Sequence, residues 1–154
     1  MGIHGEIGVQ KLKLLPCRQT VELILAQLLR NTRAFELKPE SNVLLFVNNL
    51  GGCPVLEMGI VVKDAIENLE RRKLHVKRVI CGELMTSFSM KGFSLTVLKL
   101  TSDQSSNILD LLDAPTNAFA WPKIISPTQA ANSIQAQSDS LEFNDQFSAQ
   151  LTIR

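Results

Sequence analysis

The chain has 154 residues, a formal net charge of +1 and 45% hydrophobic residues, enough to bury the core of one soluble domain. There is no basic arm or arginine stripe, so no electrostatic case for a nucleic-acid partner, and seven Phe, one Trp and no Tyr offer little for stacking single strands. The most apolar stretches, 43–50 and 93–100, fall far short of the roughly 20 residues of a membrane-spanning helix.

The opening residues, Met1-Gly2-Ile3-His4-Gly5-Glu6, show neither the basic nor the apolar region of a secretory leader. Cys17, Cys53 and Cys81 are too few and too dispersed for a disulfide framework, and no CxxC pair suggests structural zinc. The reading is a cytosolic protein with free thiols. After Pro16, Thr20 predicts an N-cap, and Val21, Ile24, Leu25, Leu28 and Leu29 share one helical face. Arg30 suits the last turn, where a cation meets the negative end of the helix dipole.

Val43-Leu44-Leu45-Phe46-Val47 is apolar without alternation, which predicts a strand covered on both faces. It runs into Asn48-Asn49-Leu50-Gly51-Gly52, then Cys53 and Pro54, with Pro54 suited to the first helical position. Met58, Val62, Ala65, Ile66 and Leu69 form the buried stripe of the next helix, while Lys63, Asp64, Glu67 and Arg71 face water. That helix ends near Lys73, and a second strand begins over 76–80, making a parallel β-α-β unit. Residues 81–92 form a connector leading to the clearest strand, 93–100, in which Phe93, Leu95 and Val97 alternate with Ser94 and Thr96. Ser105 or Ser106 caps a short helix carrying Ile108, Leu109, Leu111 and Leu112, stopped by Asp113-Ala114-Pro115-Thr116. Composition changes near Pro122. Residues 123–154 read as a polar linker or disordered tail, too poor in apolar side chains to offset the entropy of ordering.

Two places could carry chemistry. The Asn48-to-Gly52 loop lies at the C-terminal end of a strand and before a helix, where open α/β sheets place ligands. Its spacing fits neither GxGxxG nor GxxxxGK[ST], and a tight turn explains it as well; on residue chemistry alone the turn reading stands ahead. His4, flanked by Gly2, Gly5 and Gly8, has an open imidazole that can act as nucleophile, acid or base near neutral pH. Cys53 reads either as a thiol at a helix N-terminus or as a small buried hydrophobe. Asp113 reads as a phosphate-region or metal carboxylate or as a helix-end residue, and His75 as an ordinary surface or edge residue.

Four blocks in order carry a more specific signal: Gly2-Ile3-His4-Gly5-Glu6-x-Gly8; Val47 through Gly52; Met85-Thr86-Ser87-x-x-Met90-x-Gly92-Phe93-Ser94-Leu95-Thr96; and Leu112 through Thr116 with Ala120-Trp121-Pro122. Over residues 2–122 the chain resembles the C-terminal half of the substrate-binding domain of dihydroxyacetone (glycerone) kinases, nearest the ATP-dependent triokinase/FMN cyclase type. The resemblance implies an α/β fold, a three-layer-like mixed sheet with packed helices. It implies that His4 binds dihydroxyacetone or glyceraldehyde as a covalent hemiaminal, with Gly5 and Glu6 shaping the wall around it. It also implies a pocket framework of Asn48, Asn49, Gly51, Gly52, Thr86 and Ser87.

In such enzymes a preceding α/β half supplies the general-base aspartate, and this chain opens almost at the histidine motif. The resemblance therefore implies a truncated domain that binds no cofactor alone, ATP and Mg²⁺ belonging to the complete enzyme. It implies part of an ATP-dependent triose kinase. The alternative is a catalytically inactive binding or regulatory fragment that pairs with a full-length homologue. Self-association is expected as well, through an exposed sheet edge.

Overall fold

The computed structural model describes residues 12–31, 37–88, 90–101 and 105–128. Among the described residues, six elements follow one another: α1 (Cys17–Asn31), β1 (Asn42–Asn49), α2 (Val55–Arg71), β2 (His75–Gly82), β3 (Phe93–Leu100) and α3 (Ser105–Asp113). The strands form one mixed sheet in the order β2-β1-β3. β1 runs parallel to β2 and antiparallel to β3. The result is a mixed α/β fold, a three-stranded sheet with packed helices.

β1 is central, and its non-alternating sequence follows from that place. Val43, Leu45 and Val47 join Val21 and Leu25 of α1 and Met58, Val61, Ala65 and Leu69 of α2 in the main core. Leu44, between two of these, points to the opposite face and is also buried, as is Ile80 of β2. A strand wet on one face would have needed polar residues at alternate positions. β3 spans 93–100 as its alternation predicts, with Leu95 buried and Thr96 exposed.

The helices depart from expectation in instructive ways. α1 starts at Cys17, because the Pro16 carbonyl accepts from the amides of Gln19 and Thr20 at 3.0 and 3.1 Å. Thr20 therefore lies inside the first turn and does not cap it. Its Oγ1 donates back to the carbonyls of Pro16 (3.3 Å) and Leu15 (3.4 Å), the local bond open to a helical hydroxyl. Pro54 is the N-cap of α2, extended at ψ 150°, one residue before the expected position.

Asp64, expected to face water, is buried at 8% exposure. α1 packs across α2 and widens the covered face, so Cys17 of α1 meets Asp64 there. α2 closes with Lys73 at φ 60°. The Leu74 amide returns to the Leu69 carbonyl (3.1 Å) and the Lys73 amide to the Glu70 carbonyl (2.8 Å). Leu74 is buried just beyond, the apolar contact that accompanies this type of helix end.

α3 is tied to β2 by a forked pair. Arg78 donates from Nε to Asp113 Oδ1 (3.0 Å) and from Nη2 to Oδ2 (2.6 Å). Asp113 thus has a structural partner within the chain, and His75 makes a surface pair with Glu40 at 2.7 Å. The hydrogen bond from Arg78, and its charge, hold the Asp113 carboxyl below its ordinary 3.8. A carboxyl lowered on folding contributes stability above its unfolded pKa and loses it as pH falls through the folded one. The Arg78–Asp113 contribution is therefore present at neutral pH and fades below about pH 4. Asp113→Asn should flatten the acid limb of a thermal-unfolding series run from pH 7 to about pH 2; unchanged acid sensitivity would remove the pair from the account.

Candidate functional site

The C-terminal ends of the parallel strands β1 and β2 lie side by side, with Asn48 in register with Gly82. Such an edge is where loops of open α/β sheets gather. β1 extends through both asparagines, which are 1% and 3% exposed. Burial of so polar a pair requires partners. Asn48 Oδ1 accepts from the amides of Leu84 (3.0 Å) and Met85 (2.9 Å), and its Nδ2 donates to the Met85 carbonyl (2.8 Å). Asn49 Oδ1 accepts from the amides of Gly51 (3.0 Å) and Cys53 (3.2 Å). Its Nδ2 donates to the Cys53 carbonyl (2.8 Å) and to Glu83 Oε1 (3.1 Å). Asn49 thus meets all four of its hydrogen-bonding sites. Reversing either amide would set N–H against N–H, so the orientation is determined by the partners.

Asn48 therefore pins the loop after β2, and Asn49 folds the loop after β1. A third strip completes the weave. The Leu50 amide donates to the Gly92 carbonyl and the Ser87 amide to the Leu50 carbonyl, both at 3.0 Å. Gly51 bridges Met90 with φ 109°, a conformation side chains resist. A Cβ on Gly52 would lie 2.6 Å from the Met90 carbonyl oxygen. One on Gly51 would lie 3.5 Å from Thr86 Cβ. The structure thus brings Asn48, Asn49, Gly51, Gly52, Thr86 and Ser87 into one framework. His4, Gly5 and Glu6 lie outside the described residues.

Glu83 was not singled out by the sequence reading. Its carboxylate is exposed and is held by Asn49 at the strand ends. The signal for it was positional: it follows directly on β2, the parallel neighbour of the strand that ends in Asn49. Cys53 donates its thiol to the Gly92 carbonyl at 3.4 Å. It also borders a largely apolar cleft of about 520 Å³ that Cys17 and Met58 line as well. Burial, with a hydrogen bond to Asp64, pushes the Cys17 thiol up to about 11, and burial also raises Cys81. Both thiols are protonated at neutral pH and are poor nucleophiles there.

The loop is a poor fit for a nucleotide. A phosphate cradle needs free backbone amides, and here those of Leu50, Gly51 and Cys53 are engaged inward. Among the described residues no three His, Cys, Asp or Glu side chains gather to hold a metal ion, and no helix is long and apolar enough to cross a membrane.

Comparison with known proteins bears directly on this framework. Residues 1–120 match the Dak1 domain family. The triokinase/FMN cyclase of Rattus norvegicus is 43% identical over 124 residues, 79% of this chain and 21% of the relative. Among solved structures, one titled for regulation of the dha operon of Lactococcus lactis matches with a TM-score of 0.68 and 34% identity, over 79% of this chain and 37% of that one. The dihydroxyacetone kinase of C. freundii, in complex with AMP-PNP and Mg²⁺, matches with a TM-score of 0.66 and 31% identity, over 82% and 22%. The chain spans about a fifth of the length of the curated triokinase relatives it matches. On these matches, the chain belongs to the Dak1 family of dihydroxyacetone-kinase-type substrate-binding domains, with the triokinase/FMN cyclases among its relatives.

Proposed function

We propose that this chain is a triose-binding module, the C-terminal subdomain of a Dak1-type substrate domain, which captures dihydroxyacetone or glyceraldehyde and does not itself transfer phosphate. The family match over residues 1–120 carries this reading. Support for a binding role over a complete kinase comes from the spread of its likenesses. The fold is matched as closely by the structure titled for operon regulation as by the kinase, so the fold alone does not require phosphoryl transfer.

In this reading His4 is the capturing group. The lone pair of its neutral ring nitrogen attacks the carbonyl carbon and forms a C–N bond. The carbonyl π electrons move to oxygen, which takes up a proton as the ring releases its own N–H proton, leaving a hemiaminal. Glycerol has no carbonyl and cannot make the bond, so selectivity rests on chemistry where shape would discriminate poorly. Gly5 and Glu6 wall the ring, and the Asn48–Gly52 and Thr86–Ser87 framework supports the pocket. ATP and Mg²⁺ would act in the complete enzyme, which pairing with a full-length family member would supply. A cytosolic setting goes with the three free thiols.

Thermal unfolding tests the reading. Dihydroxyacetone at about 100 times its Kd should stabilise the chain by ~2.7 kcal/mol, whereas glycerol at the same concentration leaves the midpoint unchanged. His4→Asn should abolish the triose effect. With ATP and Mg²⁺ the purified chain should form no dihydroxyacetone phosphate. Equal stabilisation by glycerol, or turnover that persists after contaminating kinase is removed, would overturn it.

A further inference from the structure

Glu83 differs from the other exposed carboxylates that side chains hold. Among the described residues, Glu67 pairs with Lys63 (2.8 Å), Asp113 with Arg78 (2.6 Å) and Glu40 with the His75 ring (2.7 Å). The partner of Glu83 is a neutral amide, Asn49 Nδ2 at 3.1 Å, so no cation offsets its charge there. The carboxylate is nevertheless fixed in place. Glu83 directly follows Gly82, the last residue of β2, which stands in register with Asn48. The next two residues, Leu84 and Met85, give their amides to Asn48 Oδ1. Asn49, 3% exposed, makes its other three bonds to the backbone of Gly51 and Cys53 and cannot swing away. Ordering a free glutamate on binding costs side-chain entropy; here much of that ordering precedes any ligand.

We propose that Glu83 accepts a hydrogen bond from a hydroxyl group of the captured triose and so selects hydroxylated carbonyl compounds over plain ones. The inference rests on the triose-capture reading and adds a residue which that reading does not use. An ionised carboxylate only accepts. The Asn49 amide occupies Oε1, which leaves Oε2 for a second donor. A metal ion fits poorly, because among the described residues no three His, Cys, Asp or Glu side chains gather to complete its coordination. A hydroxyl group meets the carboxylate in a short, charge-assisted bond, stronger than one between neutral partners. The bond to His4 recognises a carbonyl carbon and nothing else of the molecule, and acetone has that carbon too. A fixed carboxylate at the strand ends, where open α/β sheets gather ligand groups, supplies the second criterion.

Glu83→Gln in the full chain tests this. The glutamine carbonyl can still accept from Asn49, while the charge and the free carboxylate oxygen are gone. Binding is followed by carbon-13 NMR of the hemiaminal carbon, with dihydroxyacetone and with acetone, which has the carbonyl and neither hydroxyl. Dihydroxyacetone should bind about tenfold more weakly to the variant, the scale of one hydrogen bond to a charged group. Acetone binding should stay within about twofold of the parent, and the Leu84 and Met85 amides should keep their protection from hydrogen exchange. An equal loss with both ligands, or faster exchange at those amides, would make Glu83 a prop for the loop. Unchanged dihydroxyacetone binding would make it a bystander. Either result overturns the inference and leaves the reading of His4 standing. No hemiaminal with dihydroxyacetone in the parent would overturn that reading and this inference with it. A cooperative melt of the variant establishes that it has folded.

Discussion

Asn48→Ala should lower the stability of the chain by about 2–4 kcal/mol, read as a shift in the urea midpoint at unchanged slope. The side chain is 1% exposed and makes three bonds, two to amides and one to a carbonyl, all in the loop after β2. Truncation leaves those backbone groups without their partner at the floor of the framework. The loss of the bonds is compounded by the cost of the stranded groups, which exceeds the net worth of a bond between well-solvated partners. Hydrogen exchange locates the effect: the amides of Leu84 and Met85 should lose protection first. A midpoint shift equivalent to less than about 0.5 kcal/mol, the usual scale of an exposed substitution, would mean the loop is held by something else. In that case the framework role of Asn48 would fall with it.

Two glycine substitutions should move stability in opposite directions. Gly52→Ala is expected to cost about 2–4 kcal/mol. The new Cβ would lie 2.6 Å from the Met90 carbonyl oxygen, 2.7 Å from its carbon and 2.8 Å from the Lys91 nitrogen. All three are backbone atoms, so no side-chain rotation relieves the contact, and the loops must part. Gly59→Ala has nothing within 4 Å of its added methyl and lies inside α2, where alanine is favoured over glycine by about 1 kcal/mol. Chemical denaturation of the pair separates a packing requirement from a general dislike of substitution at glycine. If Gly52→Ala were neutral, the close approach of the two strips would be wrong. Because the same loops form the proposed pocket framework, Gly52→Ala should also weaken the dihydroxyacetone-dependent rise in melting temperature.

The framework was legible in the sequence only as residue types. Two asparagines and two glycines between a strand and a helix announce a turn. What could not be seen is that Asn48 binds a loop 36 and 37 residues away, or that Gly52 is required by the backbone of Met90. Periodicity reports on neighbours three or four positions apart in a helix and two apart in a strand, and says nothing about such pairings. The same limit explains Asp64: its place on α2 depends on a second helix crossing there. It also explains Ile125, in a stretch whose composition reads as a linker and whose one bridge, to Val79, depends on an available strand edge.

By itself the sequence determined the elements and the family. The unbroken apolar run of β1, the alternation of β3 and the stripe of α2 are local consequences of what each residue must bury. The four ordered blocks carry the Dak1 signature with no knowledge of the fold. Only the tertiary structure decided which polar groups face one another: Asn48 with Met85, Asn49 with Glu83, Arg78 with Asp113, and Val79 with Ile125. Those contacts join residues far apart in the chain, and their geometry exists only once the hydrophobic core has set the elements side by side.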